Sequence, residues 1–190
     1  MTRRIRNLLL SPILLGIIVL LGFGINRAVL SLYRTAYPIH YVDIVLEQSE
    51  SSKLDPAFIF AVILCESGFD ERAVSYASAK GLMQITKLTF EWAQFRAGVA
   101  EPLDFDDLFI PEINVKYGAI ILRLHLDEFG SEREALAAYH TGRSRVKEWL
   151  ANPEYSSDGK SLDVIPSAVT GWYVDQVLKA RDFYNLLYSF

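Results

Sequence analysis

Apolar and polar positions divide this chain into two unlike parts. Residues 8–25 (LLLSPILLGIIVLLGFGI) carry no charge, while Arg3, Arg4 and Arg6 precede them and Arg27 follows. A helix of that length rises roughly 27 Å at ~1.5 Å per residue, close to a hydrocarbon core of ~30 Å. A cleaved leader has a shorter apolar stretch and a small-x-small cleavage site, for which Gly22-Phe23-Gly24 is a weak match. The pattern therefore predicts an uncleaved N-terminal transmembrane helix over residues 1–27. Its Arg cluster keeps the N-terminus cytoplasmic and leaves the rest of the chain outside the plasma membrane. Residues 28–40 read as a juxtamembrane connector in which Pro38 ends any helix continuing from the membrane.

From residue 41 to 190 the apolar spacing is helical almost throughout, and strand signals are sparse. Residues 42–51 form a short amphipathic helix. Asp55 is a suitable N-cap with Pro56 at the first helical position, and the helix over 57–67 stops at Gly68. Further helices are predicted over 87–97, 114–129 with a stop at Gly130, 132–139, 143–150 and 171–187. Ser131 followed by Glu134 is a capping-box pattern. Residues 152–161, rich in Ser with Pro and Gly, read as a mobile surface loop. About 150 residues suffice for one core, so the expected fold class is mainly α with little or no sheet.

Charge and cysteine content narrow the function. The net charge is −4, and the first thirty residues hold four Arg and no acid, so the remainder carries 15 basic and 23 acidic residues, or −8. An acidic domain has no basic face for nucleic acid. Cys65 is the single cysteine, which excludes an internal disulfide. His40, His125 and His140 are scattered, and no metal-ligand spacing appears, so a structural metal is not expected.

The helix over 57–67 contains the first candidate chemistry. Phe58 to Cys65 (FIFAVILC) is apolar on every face, as in a buried helix. Glu66 follows at its end, in a stripe with Ile59, Val62 and Ile63. Burial raises a carboxyl pKa, and the negative end of a helix acts in the same direction. A general acid working near neutral pH needs such a shift. The alternative is that Glu66 simply emerges into solvent where the helix ends.

The residues downstream bear on that choice. Glu66-Ser67 is followed by Ser75, then Gly81-Leu82-Met83-Gln84-Ile85, Asn114-x-x-x-Gly118 and Ala138-Tyr139-x-x-Gly142, with Val146 and Trp149 after. In this order and spacing the blocks resemble the catalytic domain of soluble lytic transglycosylases, a family that shares its fold core with goose-type lysozyme. The resemblance implies a lysozyme-like domain over 41–190 and assigns roles one residue at a time. Glu66 matches the catalytic acid/base and Ser75 a serine that hydrogen-bonds near the sugar and the acid. Gln84 matches a glutamine lining the saccharide groove. Tyr139 matches the tyrosine whose hydroxyl holds the catalytic carboxylate. Asn114 and Gly118 match a motif packing beside the site, although Asn114 also reads as a helix cap. Met83 and Ile85 read as core, and Gly81 and Gly142 as backbone geometry.

The chain also departs from the family. The usual Ala-Tyr-Asn-Ala-Gly is here Ala138-Tyr139-His140-Thr141-Gly142, so His140 is either a sugar contact or a substituted structural position. Ser78 stands where a glycine is common. A Glu-Thr-Arg-x-Tyr-Val block is here Val169-Thr170-Gly171-Trp172-Tyr173-Val174, without its glutamate and arginine. Trp172 is either a stacking platform for a sugar ring or part of the core.

Most glycosidases use two carboxyl groups, but Asp70 and Glu71, the nearest acids in sequence, match no catalytic position. The resemblance implies cleavage of peptidoglycan glycan strands between N-acetylmuramic acid and N-acetylglucosamine, leaving a 1,6-anhydro ring. Glu66 serves as acid and then as base, with no cofactor. Two other readings stay open: a hydrolytic muramidase, and a non-catalytic wall-binding module within an envelope assembly.

Overall fold

The structure is a computed structural model that describes the backbone from residue 3 and side chains from residue 19. It divides into two compact units, residues 1–38 and 39–190. The first contains α1 (Arg3–Ala36). The helix continues past Arg27 and ends two residues before Pro38, consistent with the reluctance of a residue preceding proline to stay helical. The apolar run 8–25 lies largely outside the described side chains. Among the described residues no helix is long and apolar enough to cross a membrane.

The second unit is built from α2 (Val42–Ser52), α3 (Pro56–Ser67), α4 (Lys87–Arg96), a 3-10 turn (Phe105–Phe109), α5 (Pro111–Phe129), α6 (Glu132–Thr141), α7 (Arg143–Leu150) and α8 (Ala168–Leu187). Among the described residues extended pairing is limited to two isolated bridges, Val74 with Lys80 and Lys80 with Ile85. The unit is mainly helical and has no sheet.

At its centre lies α3, whose residues Ala57 to Ile63 are all buried. Asp55 caps it by accepting from the Ala57 N–H at 2.9 Å. Gly68 closes it in the left-handed region at φ 59°, with its N–H donating to the Leu64 carbonyl. Helix α8 packs along α3, and α6 packs against α5, α7 and α8. Phe58, Phe60 and Tyr184 are fully buried between α3 and α8. This packing holds the C-terminal turn of α3, with Glu66, against the first turns of α8.

Three sequence expectations change. Helix α5 begins at Pro111, three residues before Asn114, so Asn114 is not its cap. Helix α8 begins at Ala168, capped by Ser167, so Gly171 is helical. Stretch 152–161 is tied down along its length. Asp158 accepts from the N–H groups of Lys160 and Ser161 and from the Ser161 hydroxyl, and Leu162 beyond it is buried. Glu134, read as half of a capping box, accepts from the Ser131 hydroxyl and from the Leu162 N–H at 2.9 Å. The carboxylate thus fastens this loop to α6.

Candidate active site

Glu66 stands in the last turn of α3, where the buried face of the helix reaches the surface. The Tyr173 hydroxyl, from the second turn of α8, donates to Glu66 Oε1 at 2.6 Å. Burial pushes the Glu66 carboxyl up to about 7, against the opposing effect of the Tyr173 hydrogen bond. The carboxyl can therefore hold a proton near neutrality and give it up without a large penalty. Both Tyr139 and Tyr173 are raised well above the usual phenol value by burial and by the Glu66 charge, so they remain donors.

The segment 80–85 forms the next wall. Its backbone is fastened from three sides. Ser67 Oγ donates to the Leu82 carbonyl at 2.8 Å, and the Tyr139 hydroxyl donates to the Met83 carbonyl at 2.7 Å. Asn114 Oδ1 accepts from the Met83 N–H at 2.8 Å, while its Nδ2 donates to the carbonyls of Lys80 and Leu108 at 2.9 and 2.8 Å. Gly81 is required here: it lies at φ 73°, and a Cβ would come within 2.2 Å of both Asn114 Nδ2 and the Leu108 carbonyl. A Cβ on Gly118 would strike Met83 Sδ at 2.1 Å, so α5 and this wall meet only because that residue is glycine.

The residues singled out in the sequence fall into distinct places. The hydroxyl on Glu66 is that of Tyr173, and Tyr139 instead holds the backbone of Met83. Tyr139 feels the Glu66 charge but gives its hydroxyl hydrogen to a backbone carbonyl. Asn114 is 0% exposed and has no face for a ligand, so it organises the wall from within. Gln84, at φ 48°, spends both Nε2 hydrogens on the carbonyls of Ala73 and Gly81, leaving Oε1 for a ligand. Ser75 is exposed, and its hydroxyl accepts from the Ala79 N–H at 3.1 Å rather than bonding Glu66. His140 is exposed, makes a tilted ring contact with Tyr173 at 4.6 Å between centroids, and meets Thr170 Oγ1 through Nδ1 at 3.2 Å. Met83 and Ile85 are core. Trp172 is 65% exposed, which excludes the core reading.

Sequence reasoning passed over Tyr173 and Ser67. Each adjoined a recognised signal: Tyr173 in the Tyr-Val pair of the block noted for its missing glutamate and arginine, Ser67 directly after Glu66.

A cavity of about 670 Å³ opens beside this centre and is lined by Thr86, Leu88, Trp92, Tyr139, His140 and Arg143, among others. Glu66 is not among the lining residues and is joined to them through Tyr173, which packs on His140. Farther along, Trp92 stacks on the buried ring of His125 at 5.6 Å. Burial brings the His125 imidazole down to about 4, so it is neutral. Arg143 grips Glu128 through two bonds of 2.9 and 2.6 Å, with Lys147 at 2.5 Å, joining α7 to the end of α5. The Arg143 hydrogen bond is the largest influence holding Glu128 down at about 2. Among the described residues no group of three or more His, Cys, Asp or Glu side chains is placed to hold a metal ion. Asp70 caps a local turn at the Arg72 N–H, and Glu71 accepts from the Tyr41 hydroxyl. Neither acid contributes to the Glu66 shift.

The helical domain thus sets a buried glutamate with a raised pKa close to an open cavity. The chain belongs to the transglycosylase SLT domain family, which it matches over residues 43–161. It is 28% identical over 151 residues to a soluble lytic murein transglycosylase of Salmonella typhimurium, covering 78% of this chain and 23% of that protein. It is 30% identical over 138 residues to a membrane-bound lytic murein transglycosylase C of Glaesserella parasuis, covering 68% of this chain and 38% of the other. The fold is similar to the crystal structure of the 70-kDa soluble lytic transglycosylase of Escherichia coli. That match has a TM-score of 0.72 and 25% identity, over 81% of this chain and 25% of that one. The chain thus spans about a quarter of the length of the soluble relatives it matches.

Proposed function

We propose that this protein is a peptidoglycan lytic transglycosylase that cleaves the bond between N-acetylmuramic acid and N-acetylglucosamine and leaves a 1,6-anhydro end. The observation that carries the reading is Glu66: a carboxyl raised to about 7 by burial, with no second carboxylate bearing on it. One group then serves twice. Protonated Glu66 donates to the glycosidic oxygen as the bond breaks. As a carboxylate it accepts the proton of the sugar's 6-hydroxyl while that oxygen attacks the anomeric carbon. The nucleophile belongs to the substrate, so its effective concentration is high and no water is consumed. The N-acetyl group of the muramic acid supports the cation-like centre.

In this scheme Tyr173 orients Glu66 and favours its carboxylate form in the base step. His140, Gln84 through Oε1, Ser75 and Tyr139 frame the saccharide, and Asn114 holds the wall on which Gln84 stands. The names of the relatives, soluble and membrane-bound lytic murein transglycosylases, support the same substrate.

For the whole chain we propose an anchor at 1–27, a connector at 28–40 and the catalytic domain at 41–190. The domain would lie outside the plasma membrane, near the wall and any envelope assembly that needs it opened. The charge-free run 8–25 behind Arg3, Arg4 and Arg6 supports this arrangement. A non-catalytic wall-binding role draws on one observation, Val169 and Gly171 in place of the family's glutamate and arginine. The deciding experiment is mass spectrometry of fragments released from purified peptidoglycan by the full-length protein. Anhydro-muramic ends are expected. Reducing ends would make it a hydrolase, and no release would leave the wall-binding module.

A further inference from the structure

The family's asparagine after the groove tyrosine is replaced here by His140, and the surrounding hydrogen bonds fix what that histidine offers. Thr170 Oγ1 donates its single hydrogen to Ser167 Oγ at 3.0 Å. Ser167 Oγ also accepts the Thr170 N–H, as the cap of α8. Toward His140 Nδ1, 3.2 Å away, Thr170 Oγ1 can therefore act only as an acceptor. The proton of the neutral ring must sit on Nδ1, which leaves Nε2 with a free lone pair. Among the described residues no hydrogen-bond partner meets Nε2, the side chain is exposed, and it lines the 670 Å³ cavity. The ring packs against Tyr173 at 4.6 Å between centroids, tilted by 32°, and Tyr173 in turn holds Glu66.

We propose that His140 is a specificity-determining residue whose Nε2 accepts a hydrogen bond from an amide N–H or hydroxyl of the N-acetylated glycan lying beside Glu66. The inference rests on the glycan-cleaving reading above and deepens it. An asparagine presents both a donor and an acceptor at this position. A histidine tied at Nδ1 presents an acceptor alone, and only while it is unprotonated. Partial burial lowers the His140 pKa, which keeps it neutral at neutral pH. Acidification converts Nε2 into a donor and removes the acceptor. The other ionisable groups around the ring are Tyr173 from α8, Glu66 behind it from α3, and Tyr139 on α6. Arg143, Arg145 and Glu148 of α7 share the cavity wall. The tyrosines are raised, Arg143 is paired with Glu128 and Arg145 with Glu148. His125 of α5, which shares the lining, is held down at about 4 by burial, so with Glu66 replaced by glutamine His140 is the imidazole of the cavity whose free acceptor acidification removes.

The test uses the full-length protein carrying Glu66→Gln, which binds without cleaving, and calorimetry with an N-acetylglucosamine tetramer at pH 5 and pH 7.5. Binding is expected to be tighter at pH 7.5. Adding His140→Asn, whose side chain does not titrate, should keep the affinity and abolish its pH dependence. Adding His140→Phe, which retains the stack on Tyr173 but has no acceptor, should weaken binding on the order of 5- to 10-fold at pH 7.5, the size of one net hydrogen bond. Equal affinity of all three at both pH values would overturn the role of His140 and leave the glycan reading standing. Absence of binding by all three would overturn both. Independently, a long-range proton–nitrogen spectrum of the histidines should give the Nδ1–H tautomer for His140. The Nε2–H tautomer would overturn the proposal even if glycan binds.

Discussion

At the scale of single residues, the site turns on a carboxyl that the fold makes expensive to ionise. The Glu66 shift from 4.5 to about 7 has a sign that can be followed into stability. Below pH 4.5 the carboxyl is neutral folded or unfolded and costs nothing. Between 4.5 and 7 the unfolded chain ionises it and the folded chain does not, so stability is lost across that window as pH rises. The full penalty, on the order of 3 kcal/mol, is reached above 7. Glu66→Gln is therefore expected to abolish release of wall fragments and to melt at a higher temperature than the parent above pH 7. The two should converge near pH 4, as thermal denaturation at several pH values would register. Tyr173→Phe removes a hydroxyl that favours the carboxylate. It should raise the Glu66 pKa further and move the alkaline limb of the rate profile upward. The turnover number should fall roughly 10- to 100-fold, the range for a hydrogen bond to a charged group. An unmoved pH profile with a raised KM would mean that the tyrosine only shapes the groove. Glu66 was legible in the sequence because an all-apolar helix ending in a carboxylate is unusual, and the later motifs gave it a context. Its partner was not legible, because Tyr173 lies 107 residues away and meets it only through the packing of α8 on α3. Tyr139 carried the same chemistry in a better-known motif.

At the scale of elements, two side-chain caps were readable: Asp55 before α3 and Ser131 before α6 stand as their residue types predict. Two other starts were misplaced, that of α8 despite its Ser167 cap. Helix α5 starts on Pro111 with no side-chain cap, and Gly171 looked like a boundary because glycine is a poor helix former. Within α8 that glycine has no contact nearer than 3.9 Å to an added Cβ. Gly171→Ala should accordingly stabilise the protein by about 0.5–1 kcal/mol, read as a raised denaturation midpoint. Asn114→Ala should act in the opposite direction. It strips one acceptor and two donor bonds from a fully buried wall and takes the side-chain partner from the Met83 N–H and the Leu108 carbonyl, while the Lys80 carbonyl keeps the Ile85 N–H. A cost of roughly 3 kcal/mol or more is expected, with activity lost in proportion because Gln84 stands on that wall. Undiminished stability would mean that water replaces the amide.

At the scale of the whole molecule, the helical class of residues 39–190 could be read from periodicity because every segment there is either amphipathic or buried at a helical spacing. The proposed anchor in the apolar N-terminal run is tested by partition rather than by packing. Its charge-free core of eighteen residues is long enough for a bilayer, whereas the 15 basic and 23 acidic residues of the remainder give that part a net negative charge, which an anionic lipid surface repels. Membrane attachment, where it occurs, must then come from residues 1–27 alone. The full-length protein is expected to stay in the membrane pellet through alkaline carbonate and high salt and to be released by detergent. Removal of residues 1–27 should move it to the soluble fraction with its cleavage of purified wall unchanged. Extraction of the full-length chain by carbonate would mean that the apolar run does not span, and extraction by salt alone would mean a charge contact that the acidic domain gives no reason to expect.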